Sequence, residues 1–434
     1  MKRLFTFILT LTMAFSFCVN SFAAAATTTT ATETTAATAA TTEASADTSS
    51  IQTTGASYGT SKLSGAPDIV AESAVVMDAG TGTVLYGKEA STKRYPASIT
   101  KVMTALLAVE NCNMSDIITY SNAAVNGIEA GSSTAGINVG AKLTVEDSLY
   151  ALMLVSANEA AAAIAEHISG STTEFAKLMT KRAKELGCKN TQFKNPHGLP
   201  DEEHYTTAYD MGLILKEAMK HPEFRKIAGT ISYTLKKSDS LTDTLELWNH
   251  AKILRQNSDY YYEYAEGAKT GFTQVALNTL VTYAKKDNVE LICVILKDHG
   301  ADKSYTDTAN LFKWAFNQVK AVTPLTNFSL KTAMTENSSI DSAKLDQIQL
   351  LNSSYDTNFS VLVKKDFDES TLKTAFKLDE DKKTGRLGYI IISCDDKELG
   401  RTEVTYDITS KQGKTYLEGK SLDDNLKTAP VASK

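Results

Sequence analysis

The stretch Ala71-Glu-Ser-Ala-Val-Val-Met-Asp-Ala-Gly-Thr-Gly-Thr-Val-Leu-Tyr86 begins the globular part of this 434-residue chain. Its two short apolar runs flank a glycine-rich turn, a pattern that predicts a β-hairpin. Two later apolar runs, Thr279 to Ala284 and Glu290 to Leu296, flank Lys285-Lys-Asp-Asn288 and predict a second strand pair. Helical patterns lie between the two pairs. We therefore predict one mixed sheet whose first and last strands come together, with helices packed on it.

Helices are predicted where apolar residues recur at helical spacing. The apolar residues from Ile99 to Val109 form one stripe, and a further helix is predicted over Glu159 to Ile168. Thr144 and Asp147 resemble a capping box at the start of another helix.

The two ends of the chain have a different composition. Residues 1–23 resemble a secretory signal peptide, because Lys2 and Arg3 precede an apolar run that ends in Ser21-Phe-Ala23. Residues 24–65 are rich in Ala, Thr and Ser and are predicted to be a disordered linker. The remainder is divided into a larger domain over 66–325, a small β domain over 326–410 and a polar tail over 411–434. No membrane anchor is expected after signal cleavage.

Charge and composition exclude several functions. The net charge is −6 and no basic face is evident, so nucleic acid is not an expected partner. The six histidines form no HExxH motif and no close group with cysteine, so the support for a metal site is weak. Four of the five cysteines lie beyond the signal, and we expect them to be buried free thiols.

The sharpest chemical signal is Ser98-Ile-Thr-Lys101 at the start of a predicted helix. A spacing of three residues places the hydroxyl and the amine side by side on one helix face. A neutral amine within hydrogen-bond reach can take the proton of a serine hydroxyl and so activate it as a nucleophile. In isolation the tetrapeptide is also compatible with an ordinary solvated helix.

Two further motifs change that interpretation. Ser156-Ala-Asn158 falls at a break between two predicted helices, where its polar side chains can reach a substrate or the lysine, although Ser156 and Asn158 could also be simple helix caps. Lys269-Thr-Gly271, followed by Phe272, lies at the edge of the later strand pair. There an ammonium and a hydroxyl can hold a carboxylate, and the glycine leaves room for a substrate along the strand. The three motifs in this order are the arrangement of serine enzymes that react with penicillin.

The chain resembles the D-alanyl-D-alanine carboxypeptidases, the low-molecular-weight penicillin-binding proteins of a serine peptidase family. The likeness also rests on Arg94-Tyr-Pro-Ala-Ser-Ile-Thr-Lys-Val-Met-Thr-Ala105, on Asn195-Pro-His-Gly-Leu199 and on Thr206-Thr-Ala-Tyr-Asp210. The fold class implied is α/β (α+β), with a mainly antiparallel sheet flanked by helices and a small C-terminal β domain.

By this resemblance, Ser98 is similar to the acylated nucleophile and Lys101 to its base. Ser156 and Asn158 resemble the pair that relays a proton and holds the substrate, and Lys269, Thr270 and Gly271 resemble the carboxylate-binding strand. The backbone amides of Ser98 and Phe272 would form the oxyanion hole.

The implied partners are peptidoglycan stem peptides that end in D-Ala-D-Ala, with β-lactam antibiotics as covalent inhibitors. The implied reaction is a hydrolysis that releases D-Ala without a metal or cofactor, outside the cytoplasm and in association with the cell wall.

Two positions depart from the family pattern. The chain has Ala276-Leu277 where relatives usually have Ala-Gly, and Ser304, with Lys303 beside it, where relatives often have an arginine ten residues before the tryptophan equivalent to Trp314. A lysine cannot form the bidentate clamp that an arginine forms with a carboxylate.

Three alternatives stay open. A class A-like β-lactamase has similar motif spacing but needs a Glu-x-x-x-Asn element, which is not found between the second and third motifs. A catalytically impaired cell-wall-binding homologue and an endopeptidase that cleaves D-Ala cross-links are the other two.

Overall fold

The computed structural model describes residues 63–237, 241, 243–420 and 422. The predicted signal peptide over 1–23, nearly all of the predicted linker over 24–65 and most of the predicted tail over 411–434 lie outside these residues. Within the described part, no helix combines the length and the apolar character needed to cross a bilayer.

The regular elements are strands and helices, numbered in chain order. The strands are β1 (Ser73–Asp78), β2 (Val84–Lys88), β3 (Ile117–Thr119), β4 (Lys142–Thr144), β5 (Ser232–Leu235), β6 (Leu245–Trp248), β7 (Ala265–Thr273), β8 (Leu277–Lys286), β9 (Val289–Asp298), β10 (Val319–Val322), β11 (Ser353–Ser354), β12 (Val361–Lys364), β13 (Lys373–Asp381), β14 (Arg386–Cys394) and β15 (Lys397–Tyr406). The helices are α1 (Lys101–Asn111), α2 (Asn122–Asn126), α3 (Val145–Leu154), α4 (Asn158–Ser169), α5 (Thr172–Glu185), α6 (Ala208–Ala218), α7 (Pro222–Gly229), α8 (Ala301–Gln318), α9 (Leu330–Thr335), α10 (Ser342–Gln349) and α11 (Lys411–Leu417). Short 3-10 helices cover Ala97–Thr100, Lys252–Leu254 and Glu369–Thr371.

The central sheet has five strands in the order β2-β1-β9-β8-β7. The first strand pairs with the last strand of this sheet, in the register Val75↔Val294, as the sequence predicts. Every pairing in the sheet is antiparallel. The sheet is therefore not mixed, because each neighbouring pair runs in opposite directions, and it has the antiparallel character that the family resemblance implied.

The sheet is buried on both faces, which explains why its central strands have almost continuous apolar sequences. In β1, Val75 and Met77 face one core, whereas Ala74 and Val76 face the other. The first core is covered by helices that include α1, α3, α4, α5 and α6. The second core contains Phe312 and other apolar residues of α8. Helix α1 packs on the central sheet, and β7 is one of its strands. Both carry predicted site residues.

The C-terminal region forms a third apolar core. Its sheet has the order β11-β15-β14-β13, and α9, α10 and α11 contribute residues to the core or pack on it. Strand β10 pairs with β12, so the chain on either side of residue 325 is joined by strand pairing. The division into domains at 325/326 stays a prediction.

The first residues of the segment predicted as a polar tail are helical. They form the helix α11, in which Thr415 and Tyr416 are buried, and Leu422 is buried beyond it. The ring of Tyr416 packs edge-on against Tyr406 of β15. The few apolar side chains of this segment therefore attach it to the third core, even though its overall composition is polar.

Candidate active site

Ser98 lies in the 3-10 helix Ala97–Thr100, which leads directly into α1. The residue before it, Ala97, has a φ of 50°, in the left-handed region that residues with a side chain seldom adopt. The neighbouring loop holds this turn tightly, since a Cβ on Gly198 would lie 1.9 Å from the Ala97 carbonyl oxygen. The serine is thus presented on a constrained turn.

Lys101 is fully buried at the start of α1 and is surrounded by oxygen atoms. Its Nζ lies 3.1 Å from Ser98 Oγ, 2.7 Å from Asn158 Oδ1 and 2.8 Å from the His197 carbonyl oxygen. Burial, reinforced by the positive charge of Lys269, holds the pKa of Lys101 well below its ordinary value. Such an amine can be neutral near pH 7 while it remains within hydrogen-bond reach of the serine hydroxyl.

The second motif lies where α3 ends and α4 begins. Ser156 has a φ of 62°, and this left-handed turn separates the two helices. Its hydroxyl is buried, and no hydrogen-bond partner for it exists among the described residues. Asn158 is buried as well, and its amide oxygen accepts a hydrogen bond from Lys101. The predicted helix break therefore places a hydroxyl and an amide beside the Ser98–Lys101 pair.

The third motif is on β7, at the edge of the central sheet. Lys269 is buried and donates a hydrogen bond to the Thr270 carbonyl oxygen at 2.8 Å. Burial lowers the pKa of Lys269 to about 7. A Cβ on Gly271 would lie 2.7 Å from the backbone nitrogen of Ser98 and 2.4 Å from Thr279 Oγ1. Glycine at this position therefore lets the strand approach the backbone amide of Ser98.

Phe272 follows on the same strand with its side chain 61% exposed at the rim of the site. The backbone of β7 at this point runs beside the 3-10 helix that carries Ser98. The adjacent strand β8 also holds this turn, since the Thr279 hydroxyl donates a hydrogen bond to the Pro96 carbonyl oxygen at 2.9 Å.

A cleft of about 650 Å³ opens above these residues. Its lining includes six of the predicted residues: Ser98, Ser156, Asn158, Thr270, Gly271 and Phe272. The remaining two, Lys101 and Lys269, are buried beneath it. The structure thus brings together all eight residues that the three motifs indicated, although they come from four separate elements and from the turn at Ser156.

Other cleft residues carried no signal in the sequence. The loop over 129–133 forms one wall, and His250 and Tyr305 line another part of the cleft. Burial beside Lys269 and Arg255 lowers the pKa of His250. These positions could not be predicted because their proximity to Ser98 arises from long-range packing. His197 lies in a segment that contributes to the family resemblance, but its role as a backbone acceptor for Lys101 is visible only in three dimensions.

The two departures from the family pattern have different locations. Ser304 lines the cleft, and its hydroxyl donates a hydrogen bond to the Ala301 carbonyl oxygen at 2.9 Å. Leu277, with a φ of 55°, begins β8 and is not among the residues that line the cleft. Only the serine therefore changes the chemistry of the cleft wall directly.

One cluster outside the cleft has the composition of a metal site. Potential ligand atoms of Glu110, Glu217 and His221 lie within 4.8 Å of one another. The guanidinium of Arg182, however, lies 2.6 Å from Glu110 and 3.5 Å from Glu217. The arginine therefore already supplies the positive charge that these carboxylates require.

Comparison with known proteins agrees with this geometry. The sequence profile of the D-alanyl-D-alanine carboxypeptidases matches residues 60–300. The chain belongs to this family. It is 33% identical over 346 residues to the D-alanyl-D-alanine carboxypeptidase DacF of Bacillus subtilis, covering 77% of this chain and 84% of that protein. It is also 32% identical over 262 residues to the D-alanyl-D-alanine carboxypeptidase of Streptomyces sp. strain K15, covering 58% of this chain and 88% of the relative.

Solved structures of the family share the fold. The Streptomyces K15 DD-transpeptidase superposes with a TM-score of 0.54 at 31% identity, over 58% of this chain and 99% of the other. Penicillin-binding protein 6B of Escherichia coli gives a TM-score of 0.58 at 23% identity, over 79% of this chain and 96% of the other. The predicted family, fold class and enzyme class, a serine-type D-alanyl-D-alanine carboxypeptidase, are confirmed.

Proposed function

We propose that this carboxypeptidase removes the terminal D-Ala from peptidoglycan stem peptides through an acyl-enzyme at Ser98. The observation that carries this assignment is the position of Lys101, whose buried Nζ lies 3.1 Å from Ser98 Oγ. An ordinary lysine, with a pKa of about 10.4, would need about 4.6 kcal/mol to lose its proton at pH 7. Burial and the charge of Lys269 lower the pKa of Lys101 and reduce that requirement.

The acylation step follows from these positions. Ser98 Oγ attacks the carbonyl carbon of the D-Ala-D-Ala bond, and its proton passes to Lys101 as the new C–O bond forms. The backbone amides of Ser98 and Phe272 receive the developing oxyanion. Ser156 then relays the proton from Lys101 to the leaving amine, and the C–N bond breaks to release D-Ala. A water molecule hydrolyses the remaining ester and regenerates the Ser98 hydroxyl.

The carboxylate of the substrate is proposed to bind at β7. Lys269 and the Thr270 hydroxyl supply a cation and a donor, and Gly271 leaves space for the peptide beside the strand. Asn158 holds Lys101 and can also donate a hydrogen bond to the substrate backbone. Ser304, which also lines the cleft, supplies no charge, so Lys269 carries most of the attraction for the carboxylate.

The proposed setting is the peptidoglycan outside the cytoplasmic membrane, with β-lactam antibiotics as covalent inhibitors. Penicillins offer a strained amide next to a carboxylate, so they can occupy the same two subsites and acylate the same serine.

The decisive experiment is mass spectrometry of the protein after incubation with a labelled penicillin. We expect a single adduct on the peptide that contains Ser98 and none in Ser98→Ala. Ser132→Ala is the matched control, because Ser132 also lines the cleft but lies outside the three motifs, and it should acylate like the wild type. An unmodified wild type, or an adduct that persists in Ser98→Ala, would refute the assignment.

Two further measurements separate this function from its alternatives. Release of D-Ala from diacetyl-Lys-D-Ala-D-Ala supports a carboxypeptidase and argues against an impaired wall-binding protein. Slow release of the bound penicillin is expected, whereas turnover of many penicillin molecules per second would indicate a β-lactamase. The same assay on a cross-linked peptide measures endopeptidase activity.

A further inference from the structure

The buried carboxylate of Glu159, directly after Asn158, has a set of contacts that the proposed reaction does not use. Glu159 is fully buried in the first turn of α4. Its Oε1 accepts hydrogen bonds from the Thr134 hydroxyl (2.7 Å) and from the amides of Ala135 (2.7 Å), Gly136 (3.1 Å) and Ile137 (3.4 Å). Buried polar groups are expected to be hydrogen-bonded, and the convergence of four donors on Oε1 marks a specific site for this side chain.

The segment held by Glu159 continues directly from a wall of the cleft. Residues 129–133 line the cleft, and the clamped segment over 134–137 follows them without interruption. The Ser133 carbonyl oxygen accepts a hydrogen bond from the Asn158 amide at 2.9 Å. The dipeptide Asn158-Glu159 is therefore attached to this loop twice, once through its backbone and once through the Glu159 side chain.

We propose that Glu159 is a positioning residue for the reaction: its carboxylate fastens the 134–137 segment to the start of α4 and so holds Asn158 in the place where it binds Lys101. The inference rests on the proposed role of Lys101 as the base. It assigns to Glu159 two separable effects, one through the geometry of the loop and one through charge.

The charge acts on Lys101. Besides burial, the groups that act on the pKa of this amine are Lys269 of β7 and Glu159 of α4. The titratable His197 lies in the adjacent loop, where its carbonyl oxygen accepts a hydrogen bond from Lys101. Burial and Lys101 lower the pKa of His197 to about 3, so this imidazole is neutral near pH 7. Lys269 lowers the pKa of Lys101 and Glu159 raises it. Burial is the main cause of the lowered pKa of Lys101, and the charges of Lys269 and Glu159 then shift it in opposite directions.

Glu159 also affects the pKa of Tyr120, a buried phenol that donates a hydrogen bond to Ser148. Burial and the charge of Glu159 raise the pKa of Tyr120, so the phenol stays neutral throughout the pH range in which Lys101 titrates. Tyr120 therefore adds no titration of its own to the pH profile.

Two substitutions separate the two effects. Glu159→Gln keeps an Oε1 acceptor for the loop and removes the charge. Its amide nitrogen replaces Oε2, and no described residue donates a hydrogen bond to that oxygen. Glu159→Asp keeps the charge but shortens the side chain by one methylene, so the carboxylate is withdrawn from the loop amides. Glu166→Gln is the control, since Glu166 also lies on α4 but is seven residues beyond Glu159, which is the α4 carboxylate that accepts the hydrogen bonds of the loop.

The measurement is the second-order rate of acylation by a fluorescent penicillin across pH, with the melting temperature recorded for each variant. In Glu159→Gln, the pKa of Lys101 falls, so the acid limb of the profile should move to lower pH. In Glu159→Asp, the limb should stay near its wild-type position while the rate decreases by about 10- to 100-fold at every pH, because the catalytic groups are misplaced. Glu166→Gln should match the wild type in both respects.

An acid limb that does not move in Glu159→Gln would overturn the electrostatic part. Equal rates in Glu159→Asp and the wild type would overturn the positioning part. A loss of melting temperature without either kinetic change would assign Glu159 a structural role only. None of these outcomes alters the adduct at Ser98 in the wild type, so the inference can fail while the proposed function stands.

Discussion

Two lysine side chains are buried in one site, and their surroundings give them different roles. Burial alone lowers the pKa of Lys269 to about 7, so this amine is near its titration point at neutral pH. Burial also lowers the pKa of Lys101, and the positive charge of Lys269 lowers it further. The two lysines, which we propose as the base and as the cation that attracts the carboxylate, are thus distinguished by their neighbours.

The first prediction concerns the pH dependence of substrate capture. As pH rises through about 7, Lys269 loses its proton in the free enzyme, so kcat/KM for a D-Ala-D-Ala peptide should decline on the alkaline side. Lys269→Arg keeps its charge at all these pH values. The alkaline limb should therefore move to higher pH in this variant, even if its maximal rate is lower. An alkaline limb that is the same in both proteins would contradict the role of Lys269.

The second prediction concerns stability. The pKa of Lys269 is lower in the folded protein than in the unfolded chain, so the unfolded chain binds more protons between about pH 7 and 10.4. The free-energy penalty for burying the charged amine is therefore fully present below about pH 7. It decreases as pH rises through this window. Lys269→Met should therefore raise the free energy of unfolding by about 1–4 kcal/mol at pH 6, with a smaller gain at pH 10.

Thermal unfolding at the two pH values measures this effect. Lys177→Met is the control, because Lys177 is exposed on α5 and pairs with Glu174 at the surface. The Lys269 variant should also lose activity. An unchanged or lower melting temperature at pH 6 would show that the buried ammonium is compensated by its surroundings.

At the scale of single elements, the sequence predicted local structure better than it predicted contacts. The side chain of Thr144 caps α3 as expected, accepting a hydrogen bond from the Asp147 amide at 3.0 Å. The reciprocal half of the predicted capping box is replaced, because the Asp147 carboxylate accepts a hydrogen bond from Tyr233 of β5 instead. A tertiary contact with a residue 86 positions away thus redirected a side chain that local rules would have used at the helix terminus.

The approach of β7 to the Ser98 turn gives a third prediction. Gly271→Ala places a Cβ within 2.7 Å of the Ser98 nitrogen, so the strand and the nucleophile's amide must separate. We expect acylation by penicillin to fall by about 100-fold or more with the protein still folded. Gly267→Ala on the same strand is the matched control, since its Cβ would meet Ala228 at an ordinary 3.4 Å. Similar acylation rates in the two variants would show that this close approach has no part in catalysis.

At the scale of the whole molecule, the motifs predicted which residues meet but not what surrounds them. All eight predicted site residues converge because β1 and β9 pair and place the Ser98 turn beside β7. Glu159, the loop over 129–137 and His250 were missed, since each is brought to the site by packing between residues distant in sequence. The α11 helix was missed for a similar reason, because only three dimensions show that Tyr416 reaches the third core.

The cysteines give a fourth prediction at this scale. In the described part of the chain Cys112, Cys188, Cys293 and Cys394 are all free, and only Cys112 is not fully buried. In a protein that lacks residues 1–23, and with them Cys18, a thiol reagent should therefore react with about one cysteine per folded molecule and with all four after denaturation, without prior reduction. Cys112→Ser should abolish the reaction of the folded protein. Detection of fewer than four thiols in denaturant would show that a disulfide forms.

The pairing of β1 with β9 also affects how the protein acquires its reactivity. Ser73 faces Leu296 across the sheet, so the sheet cannot be completed until nearly 300 residues of the chain have been synthesised. Long-range strand pairing of this kind folds slowly compared with local structure. Because Ser98, Asn158 and Lys269 meet only when the sheet is complete, an unfinished or partly unfolded chain should not react with penicillin. Covalent labelling by penicillin therefore counts mature, correctly assembled molecules, and it could be used to follow the maturation of this enzyme in a living cell.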